Sequence, residues 1–183
     1  MEQVQVFTQV VRELNRMGLR YFLTGSFAVS YYGVPRATHD IDLKVQITTA
    51  DIPRILATFQ KDFYLTEEGV RDACEGASMF NIIHQKTMVK VDWWVMKATP
   101  FDRSRMERRR AVEFFDVPTF LSSAEDLLLI KLQWFKDSES EKHWNDAIGI
   151  VRLQLARLDQ TYLNQWAGTL GVTDLLSRLL KIL

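Results

Sequence analysis

The chain has 183 residues, 47% of them hydrophobic, enough for one domain with a sizeable core or a core domain with a small appendage. Its 23 basic and 23 acidic residues cancel, so composition gives no general reason to expect nucleic acid. A single cysteine, Cys74, excludes an internal disulfide and fits a reducing compartment. The amphipathic N-terminus lacks the apolar stretch of a secretory signal, and no apolar run can span a bilayer. The expectation is therefore a cytoplasmic protein with no membrane partner.

Glu2 to Met17 repeats apolar residues at helical spacing, and Gly18 ends that helix. Tyr21-Phe22-Leu23 is rich in β-formers and stops at Gly25, with Ser26 as the expected N-cap of a short helix through Tyr32. Gly33 and Pro35 turn the chain into Asp40 to Val45, a strand whose alternation sets Asp40, Asp42 and Lys44 opposite Ile41, Leu43 and Val45. A capped helix through Phe59 follows, then a short strand at Phe63 to Leu65 and a weak helix or loop at Glu67 to Glu75. Met79 to His84 and Met88 to Val95 predict a hairpin, in which Lys90, Asp92 and Trp94 share a face. Phe101 to Arg110 predicts a helix, Val112 to Phe115 and Val117 to Leu121 short extended pieces. Everything beyond Ser122-Ser123 is helical, so the predicted division is a mixed α/β core over 1–120 and a helical bundle over 121–183.

Two carboxylates two residues apart on one strand face repel, and Asp is depleted in strands. A divalent cation relieves that repulsion, because hard cations take carboxylate oxygens. Taken alone, Asp-x-Asp is more often a solvated edge or an Asx turn. Gly25-Ser26 alone is an ordinary strand-to-helix turn, and Asp92 alone is explained by a buried pair with Lys90 or an arginine.

In combination the pieces carry more. A strand ending in Gly25-Ser26, a helix, the Asp40-Ile41-Asp42 strand and a later strand bearing Asp92 together resemble the nucleotidyltransferase superfamily, the DNA polymerase β-like fold. Within it, GSFAVSYYGVPRATHDIDL is similar to the small prokaryotic branch of AbiEii-type toxins and to aminoglycoside nucleotidyltransferases. Ser123 to Lys131 and Lys142 to Asp146 resemble the helical segment of those small proteins.

The resemblance implies an α/β (α+β) fold, a mixed sheet flanked by helices with a helical segment after it. It implies Mg²⁺-dependent transfer of a nucleoside monophosphate from a nucleoside triphosphate such as ATP to a hydroxyl. The acceptor, an RNA end, a protein side chain or a small molecule, stays open. Asp40, Asp42 and Asp92 are the implied catalytic and metal residues, holding two Mg²⁺ ions. Gly25 would let backbone approach a phosphate, and Ser26 would open a helix whose free N–H groups attract anions. The alternative is a non-catalytic binding module of the same fold, such as a toxin–antitoxin component with a cognate protein partner.

Further readings stay paired. Arg36 either touches the triphosphate or offsets Asp40 and Asp42. Lys131 either reaches phosphate or snorkels at the surface. Asp146 either matches an acid of the toxin-like pattern or pairs with a neighbouring lysine. Thr38 organises the turn, and His39 has a structural role. The Arg103 to Arg110 run is a solvated helix face unless it lies beside the cleft, where it would bind RNA or an acidic acceptor. Trp93, Trp94 and Trp134 are expected in the core. His84 and His143 lack zinc-site spacing.

Overall fold

The structure, a computed structural model, describes residues 2–38 and 40–182; the expectation for His39 falls outside them. In chain order the elements are α1 (Glu2–Arg16), β1 (Arg20–Leu23), α2 (Gly25–Tyr32), β2 (Asp40–Gln46), α3 (Ile52–Phe59), β3 (Phe63–Tyr64), α4 (Glu67–Gly76), β4 (Met79–His84) and β5 (Lys90–Val95). There follow α5 (Pro100–Arg108), β6 (Arg110–Phe114), β7 (Val117–Leu121), α6 (Ala124–Ser138), α7 (Glu141–Gln154), α8 (Gln160–Leu170) and α9 (Thr173–Lys181). All described strands join one sheet in the order β3-β4-β5-β2-β1-β7-β6. It is mixed: β2 runs antiparallel to β1 and parallel to β5, and β1 runs parallel to β7. The three strands expected as neighbours, β1, β2 and β5, are adjacent.

The alternation along β2 and β5 decides which side of the sheet becomes core. Ile41, Leu43, Val91 and Trp93 are fully buried on one face. There α3 covers them, with the Phe59 ring 5.4 Å from Trp93 and edge-on to it. Truncating Trp93 to Ala would cost about 3–5 kcal/mol through the cavity it leaves. The opposite face carries Phe22, Asp40, Asp42, Lys44, Lys90, Asp92 and Trp94, as the registers Phe22↔Lys44, Asp40↔Lys90, Asp42↔Asp92 and Lys44↔Trp94 require. Over that face lie α5, whose Arg105 sits 5.2 Å from the Phe22 ring, and α6, whose Trp134 lies 6.1 Å from Trp94.

β7 hands the chain to α6 next to the start of α2. Leu23 pairs with Leu121, and the Ser122 N–H donates to the Leu23 carbonyl at 2.9 Å. Ser123 caps α6 by accepting from the Asp126 N–H. From Ala124 to Leu132 every side chain is buried, because α2, α7 and α8 surround the helix. The tail is tied to the core by polar links as well. Tyr162 of α8 donates its hydroxyl to Asp126 at 2.6 Å, and its oxygen lies 2.9 Å from the Ser104 hydroxyl of α5.

Three local expectations change. The N-cap of α2 is Thr24, not Ser26: the helix is counted from Gly25, whose φ is +59°. The segment left open at Glu67 is helix α4, capped by Thr66, whose hydroxyl accepts from the Gly69 N–H. The two extended pieces after α5 form the hairpin β6–β7, turned at Phe115-Asp116 with φ of 51° and 57°.

Candidate active site

Parallel pairing of β2 with β5 sets Asp42 directly beside Asp92, and Asp40 one pleat along beside Lys90. The sheet thus brings all three predicted acids to one face. Lys90 stands among them: its ammonium is 3.0 Å from Asp92 Oδ2 and 3.7 Å from Asp40 Oδ1. Burial pushes the Asp92 carboxyl above the ordinary carboxylate range; Lys90 pulls it down, and the charges of Asp42 and Asp40 push it up again. Asp92 Oδ1 is buried with no hydrogen-bond partner among the described residues. Asp42 Oδ1 accepts from the Trp94 indole N–H at 3.4 Å.

Gly25 is packed against this acid. A β-carbon there would collide with the Asp42 carboxylate, and the backbone is in the left-handed region that favours glycine. The sequence links Gly25 to phosphate approach; the structure shows that it first makes room for Asp42. The Thr24 hydroxyl does not cap α2, so the first-turn N–H groups of the helix lack a side-chain partner and suit an anion. Ser26, 7% exposed, lies in that first turn. The Thr38 hydroxyl donates to the Asp40 carbonyl at 3.2 Å, which organises the entry to β2 as expected.

Arg36 and Lys131 converge on Asp146 rather than on the acids. Arg36 donates to both Asp146 oxygens at 3.1 and 3.3 Å, and Lys131 Nζ lies 2.9 Å from Oδ2. Burial would raise the Asp146 carboxyl, but the Arg36 hydrogen bonds and the Lys131 charge outweigh it and hold it low. Lys131 does not snorkel. Its side chain is 2% exposed, because α6 is buried all round at this point. Burial lowers its ammonium against the pull of Asp146, and the charge of Asp42 favours the protonated form. The cluster therefore carries one cation more than its carboxylate needs, next to the acids.

The arginine run is solvated only at Arg103 and Arg110. Arg105 pairs with Asp102, Arg108 with Glu125 and over the Tyr162 ring, and Arg109 lies over Phe120. The tail that follows supplies these partners in part, so α5 alone gives no signal of them. Of the tryptophans, Trp93 is core, whereas Trp94 and Trp134 are half-buried. They border a cavity of about 700 Å³ that Thr24 and Lys44 also line, together with residues of α5 and α8.

The donor set of three carboxylates suits a hard divalent cation. Among the described residues, no three His, Cys, Asp or Glu side chains are gathered into a metal cage. The Lys90 ammonium lies between two of the acids, and the orphan Asp92 Oδ1 is free to accept a cation. The residues fit such an ion once Lys90 turns aside.

No protein-family model and no curated protein matches the chain. Solved structures share its fold. One is ANT(2")-Ia in complex with adenylyl-2"-tobramycin, at TM-score 0.60 and 11% identity, covering 93% of this chain and 98% of that one. Another is an antigenic nucleotidyltransferase-like protein from Paracoccidioides brasiliensis, at 0.56 and 16%, covering 98% and 93%. A third is the lincosamide antibiotic adenylyltransferase LnuA, lincomycin-bound, at 0.51 and 12%, covering 82% and 96%. At these identities the likeness concerns the fold. The Gly25-Ser26 turn and the Asp40-Ile41-Asp42 strand thus stand in a nucleotidyltransferase-like fold, that of the superfamily the sequence resembles.

Proposed function

We propose that this chain is a Mg²⁺-dependent nucleotidyltransferase that moves a nucleoside monophosphate from a nucleoside triphosphate to a hydroxyl-bearing acceptor. The observation that carries the reading is the Asp42↔Asp92 register across parallel strands, with Gly25 against Asp42. Asp40, Asp42 and Asp92 would hold the two Mg²⁺ ions, which when bound supply charge neutralisation of the triphosphate and of the leaving oxygen. The uncapped first turn of α2, at Gly25 and Ser26, receives phosphate oxygens. Lys131 and Arg36 add a net positive field beside it. The acceptor oxygen attacks the α-phosphorus, the bond to the β-phosphate oxygen breaks, and pyrophosphate leaves. Asp92, beside Asp42 in the register, would help take the acceptor proton.

One observation favours the alternative of a binding module without turnover, such as a toxin–antitoxin component. Lys90 already neutralises part of the acidic face without a metal. Thermal melts separate the two readings. A ligand at one hundred times its Kd stabilises the native state by about 2.7 kcal/mol. An enzyme should gain stability from Mg²⁺ plus at least one of ATP, CTP, GTP or UTP, and should label an acceptor from cell extract with α-labelled nucleotide. No gain with any of the four would remove the enzyme reading.

A further inference from the structure

The cavity beside the acids has a chemistry of its own. Its walls include two aromatic pairs: Trp94 with Trp134, ring centres 6.1 Å apart, and Phe101 with Trp166, 5.0 Å apart. Its charged lining is Lys44, Lys97, Arg105 and Asp102, three cations against one carboxylate. That carboxylate is already taken, 2.9 Å from Lys44 Nζ and 3.0 Å from Arg105. Thr24 also lines the cavity, and its hydroxyl is buried just behind that wall without a partner among the described residues. Thr24 is bonded through its N–H to the Asp42 carbonyl at 2.9 Å, so this free hydroxyl marks the end of the cavity next to the acids.

We infer that this cavity is the acceptor pocket, and that it takes a hydroxyl-bearing small molecule with a flat aromatic body and neutral or negative charge, not a polycation. The inference rests on the nucleotidyl-transfer reading. The volume of about 700 Å³ lies within the roughly 300–1,000 Å³ that buries a drug-sized molecule, and is several times what one nucleobase fills. The aromatic pairs offer faces for a flat ring. Away from the acid end, the described lining is net positive and its one carboxylate is already paired, so an unpaired polycation would be repelled there, whereas an anion would be welcomed. Thr24 would bond the acceptor hydroxyl at the end nearest Asp42.

Calorimetry with the full chain tests this, using 4-methylumbelliferyl glucuronide as an anionic aromatic probe and tobramycin as the polycation, without Mg²⁺ or nucleotide. Mg²⁺–ATP is titrated separately. The glucuronide should bind saturably and tobramycin should not. Trp166→Ala and Thr169→Trp should each weaken glucuronide binding tenfold or more and leave Mg²⁺–ATP affinity within twofold. Thr169 is exposed on α8 and lines the cavity, so its replacement fills the space without removing core atoms. It therefore decides the matter even if Trp166→Ala unfolds. Tobramycin binding as tightly as the glucuronide, or no saturable glucuronide binding, overturns the inference. Equal loss of Mg²⁺–ATP and glucuronide affinity in Thr169→Trp also overturns it, since the cavity would then hold the donor nucleoside. If wild type binds the glucuronide but not Mg²⁺–ATP, the transfer reading fails while the ligand class of the cavity stands.

Discussion

Two buried clusters flank the acidic face with the same ingredients, one carboxylate between a lysine and an arginine. At Asp102, the partners Lys44 and Arg105 have side chains only 10% and 6% exposed. Lys44 also donates to the Val95 carbonyl, and the Lys97 N–H donates to Asp102. Arg105 lies over the Phe22 and Phe101 rings. At Asp146, Lys131 is 2% exposed but Arg36 is 26% exposed and comes from the turn before β2. The difference lies in access rather than charge. A cluster with both cations buried has none that can leave without stranding a buried carboxylate. An open one has an arginine that can turn to water or to a phosphate at modest cost.

The largest contrast should appear in stability. Asp102→Ala leaves Lys44 and Arg105 uncompensated and should cost about 3–5 kcal/mol in urea unfolding. Asp146→Ala should cost less than that, because Arg36 can rehydrate and only Lys131 is left buried without its carboxylate. Equal losses would break the comparison. Asp42→Asn tests the face between the clusters. It should lower nucleotidyl transfer by about 10²–10³-fold or more. Its thermal stability should be unchanged or raised by up to about 1 kcal/mol, because a like-charge neighbour of Asp92 is removed. A melt well below wild type would make Asp42 an ordinary structural acid.

Arg36→Met should weaken Mg²⁺–ATP binding about tenfold, or about 1.4 kcal/mol, with a smaller change in stability. Arg105→Met should do the reverse, and calorimetry beside thermal melts reads both. Acid unfolding sharpens the same contrast. Burial would raise Asp102 and Asp146, but their cations outweigh it and hold both below the ordinary carboxylate value. Their contribution is present above the unfolded carboxylate value and lost as pH falls through their folded values. Asp146→Asn should therefore flatten stability against pH below about 4, by at most about 1.4 kcal/mol per pH unit. Burial raises Asp126 instead, so its share has the opposite sign and weakens the fold as pH rises through its folded value. The smallest effect belongs to Lys90→Gln. Removing the ammonium between Asp40 and Asp92 should tighten Mn²⁺ binding a few-fold, read by electron paramagnetic resonance, and weaker binding would mean that Lys90 assists the metal.

Local pattern decided a large part of this molecule. Alternation alone placed Asp40, Asp42 and Lys44 on one side of β2, and Lys90, Asp92 and Trp94 on one side of β5, because side chains on a strand have a period of two. Apolar spacing and caps located the helices of the tail, since a helix of three or four turns reports its own buried stripe. The close approach of Gly25 to Asp42 was not legible, because it is made across two strands of the sheet. Nor was the fate of the cations. Arg36 and Asp146 lie 110 residues apart, and Lys131 became buried only because α2, α7 and α8 close round α6. Arg105 and Arg108 face different partners for the same reason: Asp102 is local to α5, while Glu125 arrives from α6. Charge pairing acts through space and is set by whichever helix packs alongside, so sequence spacing fixes a cation's face on its own element, and only tertiary packing fixes its partner.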